Sequence, residues 1–326
     1  MKLKIGVVGA GHLGKFHIEK LNSINEIEFM GFYEQDAVRR EYISSNLNVK
    51  KYQKLEKLLD DCDAVTIATP TTSHYYVAKD ALNMNCHVFI EKPITSTIKE
   101  ADLLLKLANK QKKIIQVGHI EQFNPAFNAV DLSNIKPTFI EAHRLSPFPN
   151  RGTDVPVVLD LMIHDIGVIL SIVRKEVKEI RAFGQSIVSD TTDLANARIE
   201  FMNGCIVNLT TSRISLKKMR KMRIFQNHRY VNIDFLNKTV DDYKSFNKKP
   251  DNNSQNKIFT IDGPNKKYIK HNQIKVPNVD ALSVEFDQFI NTIKTNNNTG
   301  YSGEEATKAL SLAIEIQNII ESNTKH

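Results

Sequence analysis

The chain has 326 residues, of which 41% are hydrophobic and 25% are charged, and its formal net charge is +7. This length suits two domains better than one core, and the composition excludes a disordered chain. We find no apolar run near the roughly 20 residues that span a bilayer and no signal-peptide pattern, so we expect no membrane partner. Three widely spaced cysteines, Cys62, Cys86 and Cys205, favour reduced thiols and a cytoplasmic protein.

The first 120 residues alternate short apolar runs with helix-like stretches. Strands are predicted at 4–8, 27–33, 64–68, 88–90 and 114–117, and helices at 14–22, 36–45, 55–59, 73–84 and 98–110. Strands that alternate with helices form a parallel, doubly wound sheet, and continuous apolar runs fit strands covered on both faces. We therefore predict an α/β class and a Rossmann dinucleotide-binding domain over residues 1–121.

The pattern changes after residue 123. A strand at 138–143, a proline-rich loop and an apolar helix at 157–173 precede strands at 179–187, 195–201, 205–211, 222–226 and 230–235. "NKKPDNNSQNK" is a polar loop, and helices at 281–295 and 303–322 follow it. Strands without intervening helices predict an α+β domain with a mostly antiparallel open sheet over residues 122–326.

The stretch "GVVGAGHLG" holds the spacing Gly9-x-Gly11-x-x-Gly14. It directly follows the first predicted strand and opens a helix, which is the context that a dinucleotide-binding turn requires. The glycines allow a tight turn and a close approach of the backbone to a pyrophosphate. The helix start, with His12 and Leu13, offers N–H groups to the phosphates. We predict that these five residues bind the cofactor.

Glu34 ends the second predicted strand, twenty residues after the last glycine of the turn. A carboxylate there accepts hydrogen bonds from the adenosine ribose and repels a 2′-phosphate. The residue therefore favours NAD over NADP. Arg39 and Arg40 follow on the next helix and are able to reach a 2′-phosphate, but we expect them on an exposed helix face.

Two further loops follow predicted strands of the same sheet. "IATPTTSH" ends the third strand with Thr69 and Pro70, and "HVFIEKPIT" ends a buried-looking strand with Glu91 and Lys92. Ligands bind beyond the carboxyl ends of such strands, so we assign these four residues to the cofactor site. His74 is either a cofactor contact or a surface residue. Partial burial lowers the pKa of a lysine, which would suit Lys92 to proton transfer.

The helix "VVLDLMIHDIGVILSIV" is apolar nearly all round, which predicts a buried helix. Its exceptions Asp160, His164, Gly167 and Ser171 fall at steps of four, three and four, and so share one face. An Asp beside a His orients the ring and stabilises its charged form. A core Asp–His hydrogen bond is the alternative. We expect a structural role for Asp165, and we see no third ligand for a metal.

The densest basic cluster comprises Lys217, Lys218, Arg220, Lys221 and Arg223. No helix-turn-helix, zinc motif or aromatic-interleaved basic motif accompanies it, so we do not expect a nucleic acid partner. Two readings stay open, a solvated strand rim or a surface that attracts nucleotides or nucleotide sugars.

The glycine turn, "IATPTTSH", "EKP" and the Asp-x-x-x-His pair occur in this order, and together they resemble the glucose–fructose oxidoreductase/inositol dehydrogenase (Gfo/Idh/MocA) family. The resemblance implies that Lys92 lies beside the nicotinamide and forms a catalytic trio with Asp160 and His164. It also implies a cis bond before Pro93, no metal, and subunit pairing through the C-terminal sheet, hence a homodimer or homotetramer.

Within this family, "GHLGKFH", "VGHIEQFNPAF" and "NRGTDVPVVLDLMIHDI" look most like the subgroup that oxidises UDP-N-acetylglucosamine at the 3-hydroxyl for lipid A precursors. This resemblance adds Asn124 and Arg151 to the substrate-binding residues, alongside the catalytic trio. Gln122 departs from the family, since many members carry Arg there. The alternatives are an NAD(P)-dependent dehydrogenase of a free sugar or inositol, and a dinucleotide-binding sensor without turnover.

Overall fold

The computed structural model describes residues 2–149, 153–251, 256–263, 266–297 and 300–323. The chain forms two compact units, residues 1–120 with 282–310 and residues 121–281 with 311–326. The first unit therefore takes a segment from late in the chain. The functional boundary between residues 121 and 122 stays a prediction.

The first unit contains a parallel sheet of six strands, as the sequence predicts. Its elements in chain order are β1 Leu3–Val8, α1 His12–Ser23, β2 Ile27–Tyr33, α2 Ala37–Leu47, β3 Lys51–Tyr52, α3 Leu55–Asp60, β4 Ala64–Ile67, α4 Thr71–Asn83, β5 His87–Glu91, α5 Ile98–Gln111 and β6 Ile115–Gly118. The strand order is β3-β2-β1-β4-β5-β6. The order reverses between β1 and β4, which is where such sheets bind ligands. The sequence analysis did not predict β3, an edge strand of two residues.

Local signals mark the starts of two helices in this unit, α2 and α5. The Asp36 carboxylate accepts from the backbone N–H groups of Val38 and Arg39 at the start of α2. Thr97 and Glu100 form a capping box at the start of α5, in which each side chain accepts from the other residue's backbone N–H. Such caps satisfy N–H groups that the helix itself leaves unbonded.

The second unit is built on a mixed sheet of nine strands. Its elements are a 3-10 turn at Ile120–Phe123, α6 Pro125–Asn128, β7 Phe139–Leu145, a π-helical segment at Val158–Met162, α7 Ile163–Val173, β8 Val177–Gln185, β9 Leu194–Phe201, β10 Ile206–Ser212, β11 Met219–Gln226, β12 Arg229–Asp234, β13 Thr239–Phe246, β14 Asn256–Ile261 and β15 Lys267–Ile274. Two helices, α8 Ala281–Thr295 and α9 Gly303–Asn323, complete the chain.

The order in this sheet is β14-β15-β13-β12-β11-β7-β10-β9-β8. Among the described strands of this sheet only β7 and β10 pair in parallel, so the predicted mostly antiparallel sheet is confirmed. The sequence analysis did not predict β13, β14 or β15. Of the predicted polar loop at 247–257, residues 252–255 lie outside the described residues, and the last two residues belong to β14, which begins at Asn256.

Alternation along the strands of this sheet buries one face and leaves the other partly exposed. On the partly exposed face five rings lie side by side across five strands, in the order Phe139, Phe225, Tyr230, Tyr243 and His271. Neighbouring ring centroids are 4.6 to 5.6 Å apart. Cross-strand aromatic pairs of this kind stabilise a sheet and fix its register.

Helix α8 completes the core of the first unit. Phe286 and Phe289 are fully buried and pack edge-on against the ring of Phe89 in β5. They join a cluster that contains apolar residues of β1, α1 and β2. The bounds of α8 are those that the sequence predicts, residues 281–295. Among the described residues, no helix has the length and apolar character that crossing a membrane demands.

Candidate active site

The glycine turn joins β1 to α1 and has the shape that a dinucleotide phosphate requires. Gly9 adopts a φ of +92°, and a Cβ on Gly14 would lie 2.1 Å from the Gly9 carbonyl oxygen. At Gly11 a Cβ would meet no heavy atom within 4 Å, so this part of the turn is open to a ligand. His12 and Leu13 begin α1 and are exposed. The turn and the N-terminus of α1 therefore fit a pyrophosphate.

Glu34 follows β2 and contacts the glycine turn directly. Its Oε2 accepts from the backbone N–H of Ala10 at 2.7 Å, and Arg39 Nε donates to the Ala10 carbonyl at 2.6 Å. Arg40 is buried and donates to the Glu34 carbonyl and to Gln53 Oε1. The expectation of an exposed face for both arginines is therefore wrong. Arg40 holds the loop after β2, and Arg39 lies at the edge where the ribose of a dinucleotide would bind.

The loop after β4 carries Thr69 and Pro70 and is tied to the loop after β5. His74 is buried in α4, with one ring nitrogen 2.9 Å from the Thr69 carbonyl oxygen and the other 2.9 Å from the Pro93 carbonyl oxygen. Burial lowers the pKa of His74. A neutral ring donates to only one of these carbonyls. Because both nitrogens face protein oxygens, His74 shapes these two loops and is not a surface residue.

The Glu-Lys-Pro motif lies at the carboxyl end of β5. Glu91 Oε1 is 2.9 Å from Nε2 of the buried His17, whose Nδ1 is 3.2 Å from the Thr66 hydroxyl oxygen. Both ring nitrogens of His17 therefore lie within hydrogen-bond distance of a side-chain oxygen. The bond before Pro93 is cis, as the resemblance implies, and Lys92 is half-buried. The Glu91 side chain is therefore anchored to α1 while Lys92 stands next to it at the sheet edge.

Two buried groups near this motif were missed by sequence reasoning. His119 follows β6, and burial together with the charge of Lys92 lowers its pKa to about 3. Glu285 of α8 is 1% exposed, and neither of its carboxylate oxygens has a hydrogen-bond partner among the described residues. Burial, and then the charge of Glu91, raise the pKa of Glu285 well above its ordinary range. His119 is therefore neutral near pH 7, and burial disfavours the charged form of Glu285.

The second unit carries the predicted Asp160 and His164. Residues 157–173 are helical, as expected, but the segment Val158–Met162 is π-helical and only Ile163–Val173 is α-helical. Asp160 lies in the wider π-helical segment and His164 in the first turn of α7, and both are half-buried. Such π-helical segments are often found at functional sites.

A buried ion-pair network holds this helix to β7. Arg144 donates from two nitrogens to the carboxylate of Asp165, at 2.8 and 2.9 Å, and from a third to Glu121 at 2.9 Å. Burial alone would lower the pKa of Arg144, but Asp165 and then Glu121 outweigh it and raise that pKa above its ordinary value. Asp165 therefore has the structural partner that the sequence analysis expects, and the network fixes the helix start beside His164.

Two predicted substrate-binding residues have different outcomes. Asn124 is buried, and its side chain bonds to Glu121, to the Phe235 carbonyl and to the backbone N–H of Ala126, where it caps α6. Both the amide nitrogen and the amide oxygen of Asn124 are engaged in these bonds. Contact of Asn124 with a substrate stays a prediction. Arg151 lies outside the described residues. Within the described ranges, no group of three or more His, Cys, Asp or Glu side chains is arranged to hold a metal ion.

The structure therefore collects the predicted residues in two groups. The carboxyl edge of the first sheet holds the glycine turn, Glu34 and the loops that carry Thr69, Pro70, Glu91 and Lys92. The second unit holds Asp160 and His164. A Rossmann sheet with an intact phosphate turn, joined to a mixed sheet with an Asp-x-x-x-His helix, defines a dinucleotide-dependent oxidoreductase.

Comparison with known proteins identifies the family. Residues 3–119 match the oxidoreductase family with an NAD-binding Rossmann fold, and residues 136–228 match the GFO/IDH/MocA C-terminal domain. The chain belongs to the Gfo/Idh/MocA family and is an NAD-binding oxidoreductase.

Particular relatives resemble nearly the whole chain. It is 32% identical over 320 residues to the UDP-N-acetylglucosamine 3-dehydrogenase of Acidithiobacillus ferrooxidans, covering 98% of this chain and 97% of that protein. A solved structure of that enzyme superposes with a TM-score of 0.88 at 31% identity, covering 99% of both chains. The myo-inositol 2-dehydrogenase of Thermotoga maritima is 23% identical, covering 98% of this chain and 96% of that protein.

Proposed function

We propose that this protein is an NAD-dependent dehydrogenase that oxidises the 3-hydroxyl of UDP-N-acetylglucosamine to a ketone. The observation that carries the proposal is the 32% identity, over 98% of the chain, to an enzyme with that activity. The presence of Lys92, Asp160 and His164 supports it, because a hydroxyl that loses a hydride must also lose a proton. The product would serve lipid A precursor synthesis, as the resemblance implies.

The proton is the part of the chemistry that this chain's own side chains handle. NAD, when bound, supplies the acceptor for the hydride. His164 takes the hydroxyl proton, and Asp160, four positions earlier on the same helix, orients the ring and stabilises its charged form. Lys92 donates a hydrogen bond to the reacting oxygen or relays its proton. His119, which is neutral and buried, adds no charge to the Lys92 side of the site.

The proposed preference for NAD over NADP depends on Glu34. Its carboxylate is fixed to the glycine turn through the Ala10 N–H, where a 2′-phosphate would meet its negative charge. Arg39 is the residue that opposes this preference, since its guanidinium lies at the same turn. Tighter binding of NAD than of NADP would indicate that Glu34 determines the preference, and tighter binding of NADP would indicate that Arg39 does.

The uridine diphosphate part of the substrate is remote from the reacting carbon. Its binding energy can position C3 and the 3-hydroxyl, which a free sugar cannot match. We therefore expect lower turnover as well as weaker binding with free N-acetylglucosamine. The net charge of +7 favours an anionic substrate, and added salt should weaken its binding.

The test is incubation of the purified protein with NAD and UDP-N-acetylglucosamine, with a 2-oxo acid acceptor or a coupled aminotransferase to draw the reaction forward. Mass spectrometry should find a product lighter by two hydrogen atoms, and NMR should place its carbonyl at C3. Free N-acetylglucosamine is the matched control. Conversion of the free sugar alone would contradict the proposal.

A second candidate is oxidation of inositol or a free sugar, and it is favoured by the similarity to myo-inositol 2-dehydrogenase over 98% of the chain. Oxidation of inositol with no oxidation of the UDP-sugar would establish it. Binding of NAD without turnover of any of these compounds would instead indicate a sensor.

We further propose a cytoplasmic homodimer or homotetramer. The three cysteines are buried and unbridged, and burial raises the pKa of Cys86 and of Cys205 to about 11, which makes these thiols unreactive. The row of five rings on the partly exposed face of the second unit supports pairing of subunits through that face. Light scattering of wild type and a Tyr230→Ser variant tests this assembly.

A further inference from the structure

Arg220 occupies a particular place on the sheet of the second unit. In the antiparallel pair of β7 and β11 it lies directly opposite Arg144. Directly opposite residues share a face, so the Arg220 side chain points to the face that also carries the buried Met222 and Ile224. Unlike these two neighbours, the Arg220 side chain is 49% exposed. It is a positive charge at the rim of an otherwise buried face.

The contact that holds this guanidinium is weak. Arg220 Nη1 lies 3.5 Å from Glu121 Oε1, and that same oxygen accepts from Arg144 at 2.9 Å. The other oxygen of Glu121 accepts from Asn124 at 2.9 Å. Glu121 is therefore satisfied without Arg220. In the part of the chain that the structure describes, this is the one side-chain hydrogen bond that Arg220 makes, so most of its five N–H donors are available to a ligand.

A chain of contacts connects Arg220 to the helix of the proposed catalytic pair. Glu121 links it to Arg144, and Arg144 binds Asp165, the residue after His164. Because β7 and β10 run parallel, Leu145 and Ser212 end at the same edge of the sheet. The loop that leaves β10 crosses this edge to start β11 opposite Leu145.

That loop adds positive charge at the same edge. Lys217 and Lys218 are exposed in it, and the backbone N–H of Ser215 bonds to the Ser146 carbonyl, which ties the loop to the segment after β7. Exposed lysines act over a Debye length of roughly 10 Å and attract anions without fixing their orientation. Arg220 has a planar set of N–H donors and can therefore fix the orientation of a bound anion.

We propose that Arg220 binds the diphosphate of a nucleotide-sugar substrate, while Lys217 and Lys218 attract that anion to the same edge. The proposal rests on the proposed function and gives its diphosphate a named ligand. A guanidinium forms two parallel hydrogen bonds to phosphate oxygens, which fixes direction as well as charge. A diphosphate held there carries its sugar on the same edge as the helix of Asp160 and His164.

The test compares binding of UDP to the whole protein and to three variants by titration calorimetry. Arg220→Met should weaken UDP binding by about 10- to 100-fold, the loss expected for hydrogen bonds to a charged group. Arg220→Lys keeps the positive charge but loses the planar set of donors. Its UDP affinity should therefore lie between those of wild type and Arg220→Met. Arg223→Met is the matched control, since Arg223 lies on the same strand, is 44% exposed and pairs with Glu141 on the opposite face. It should leave UDP affinity near wild type.

Titrations with uridine and with NAD show whether a loss of UDP affinity comes from the phosphate contact. Uridine, which has no phosphate, should bind wild type and Arg220→Met equally, and so should NAD, whose phosphates belong to the glycine turn. Equal UDP affinity in both methionine variants would overturn the inference, while wild-type oxidation of UDP-N-acetylglucosamine would still support the proposed function. A wild type that neither binds UDP nor oxidises the UDP-sugar would overturn both. Far-UV circular dichroism of each variant checks its fold. If Arg220→Met does not fold, the UDP affinity of Arg220→Lys is compared with that of wild type instead.

Discussion

Replacing Glu285 with glutamine should stabilise the protein increasingly as the pH rises above about 5. Glu285 is buried in the core of the first unit, with no hydrogen-bond partner for either carboxylate oxygen among the described residues. Burial and the charge of Glu91 raise its pKa in the folded state. Glutamine has nearly the same shape but stays neutral at every pH, so the substitution removes only the penalty of ionisation.

The magnitude follows from proton linkage. Below a pH of about 4.5, the ordinary pKa of the group, the carboxyl is protonated in both the folded and the unfolded chain, and its full contribution to stability is present. Above that pH the unfolded chain loses the proton and the folded chain keeps it. The free energy of unfolding therefore falls by about 1.4 kcal/mol per pH unit until the pH reaches the folded pKa. Over that range the advantage of glutamine should therefore grow by about 1.4 kcal/mol per pH unit.

Urea unfolding followed by far-UV circular dichroism is the suitable assay, because the chain contains no tryptophan. The free energy of unfolding is measured for wild type, Glu285→Gln and Glu304→Gln at several pH values. Glu304 is exposed in the first turn of α9, and its variant should follow the wild-type profile. A pH-independent difference between Glu285→Gln and wild type would refute the reasoning, since it would mean that Glu285 ionises equally in both states.

Three further outcomes are expected. Arg144→Met leaves the buried carboxylates of Asp165 and Glu121 without their cation and should lower the free energy of unfolding by about 3–5 kcal/mol. Arg223→Met removes an exposed ion pair and should change the free energy of unfolding little. Urea unfolding of the two variants and wild type measures both effects. Lys92→Ala and His164→Ala should each reduce turnover by about 10²- to 10⁴-fold with little change in NAD affinity, because the glycine turn holds the phosphates, and near-normal turnover in both would exclude the proposed roles. Glu34→Ala should narrow the gap between NAD and NADP affinity, and tighter NADP binding by wild type would reverse the cofactor assignment.

The Rossmann half of the fold could be predicted from the sequence because its central strands are mostly buried apolar runs that alternate with helices, and because α2 and α5 begin at side-chain caps. In the second sheet the sequence predicted the strands only up to β12. In β15, "KYIKHNQI", every residue but one is half-buried, so no apolar alternation marks the strand. A strand with two partly exposed faces lacks the period-two signal on which strand prediction depends.

The candidate site was predictable where its residues lie in one short motif. The glycine turn, Glu-Lys-Pro and Asp-x-x-x-His are each local. Glu285 is different, because its backbone carbonyl accepts from Gln116, a residue 169 positions earlier in the chain. A single sequence carries no signal for such a pairing. Arg40 was misplaced for a related reason, since its partner Gln53 lies in the loop beyond the next strand.

The late segment in the first unit has a consequence for synthesis on the ribosome. Phe286 and Phe289 of α8 fill the core beside Phe89, yet they are translated after every strand of the second sheet. Domains generally fold in the order in which they are made, but here the first unit cannot close its core until the second has been synthesised. A fragment ending at residue 121 would present an apolar surface to solvent. The nascent chain must therefore expose that apolar surface while about half of its residues are being added, and chaperones have access to it during that time.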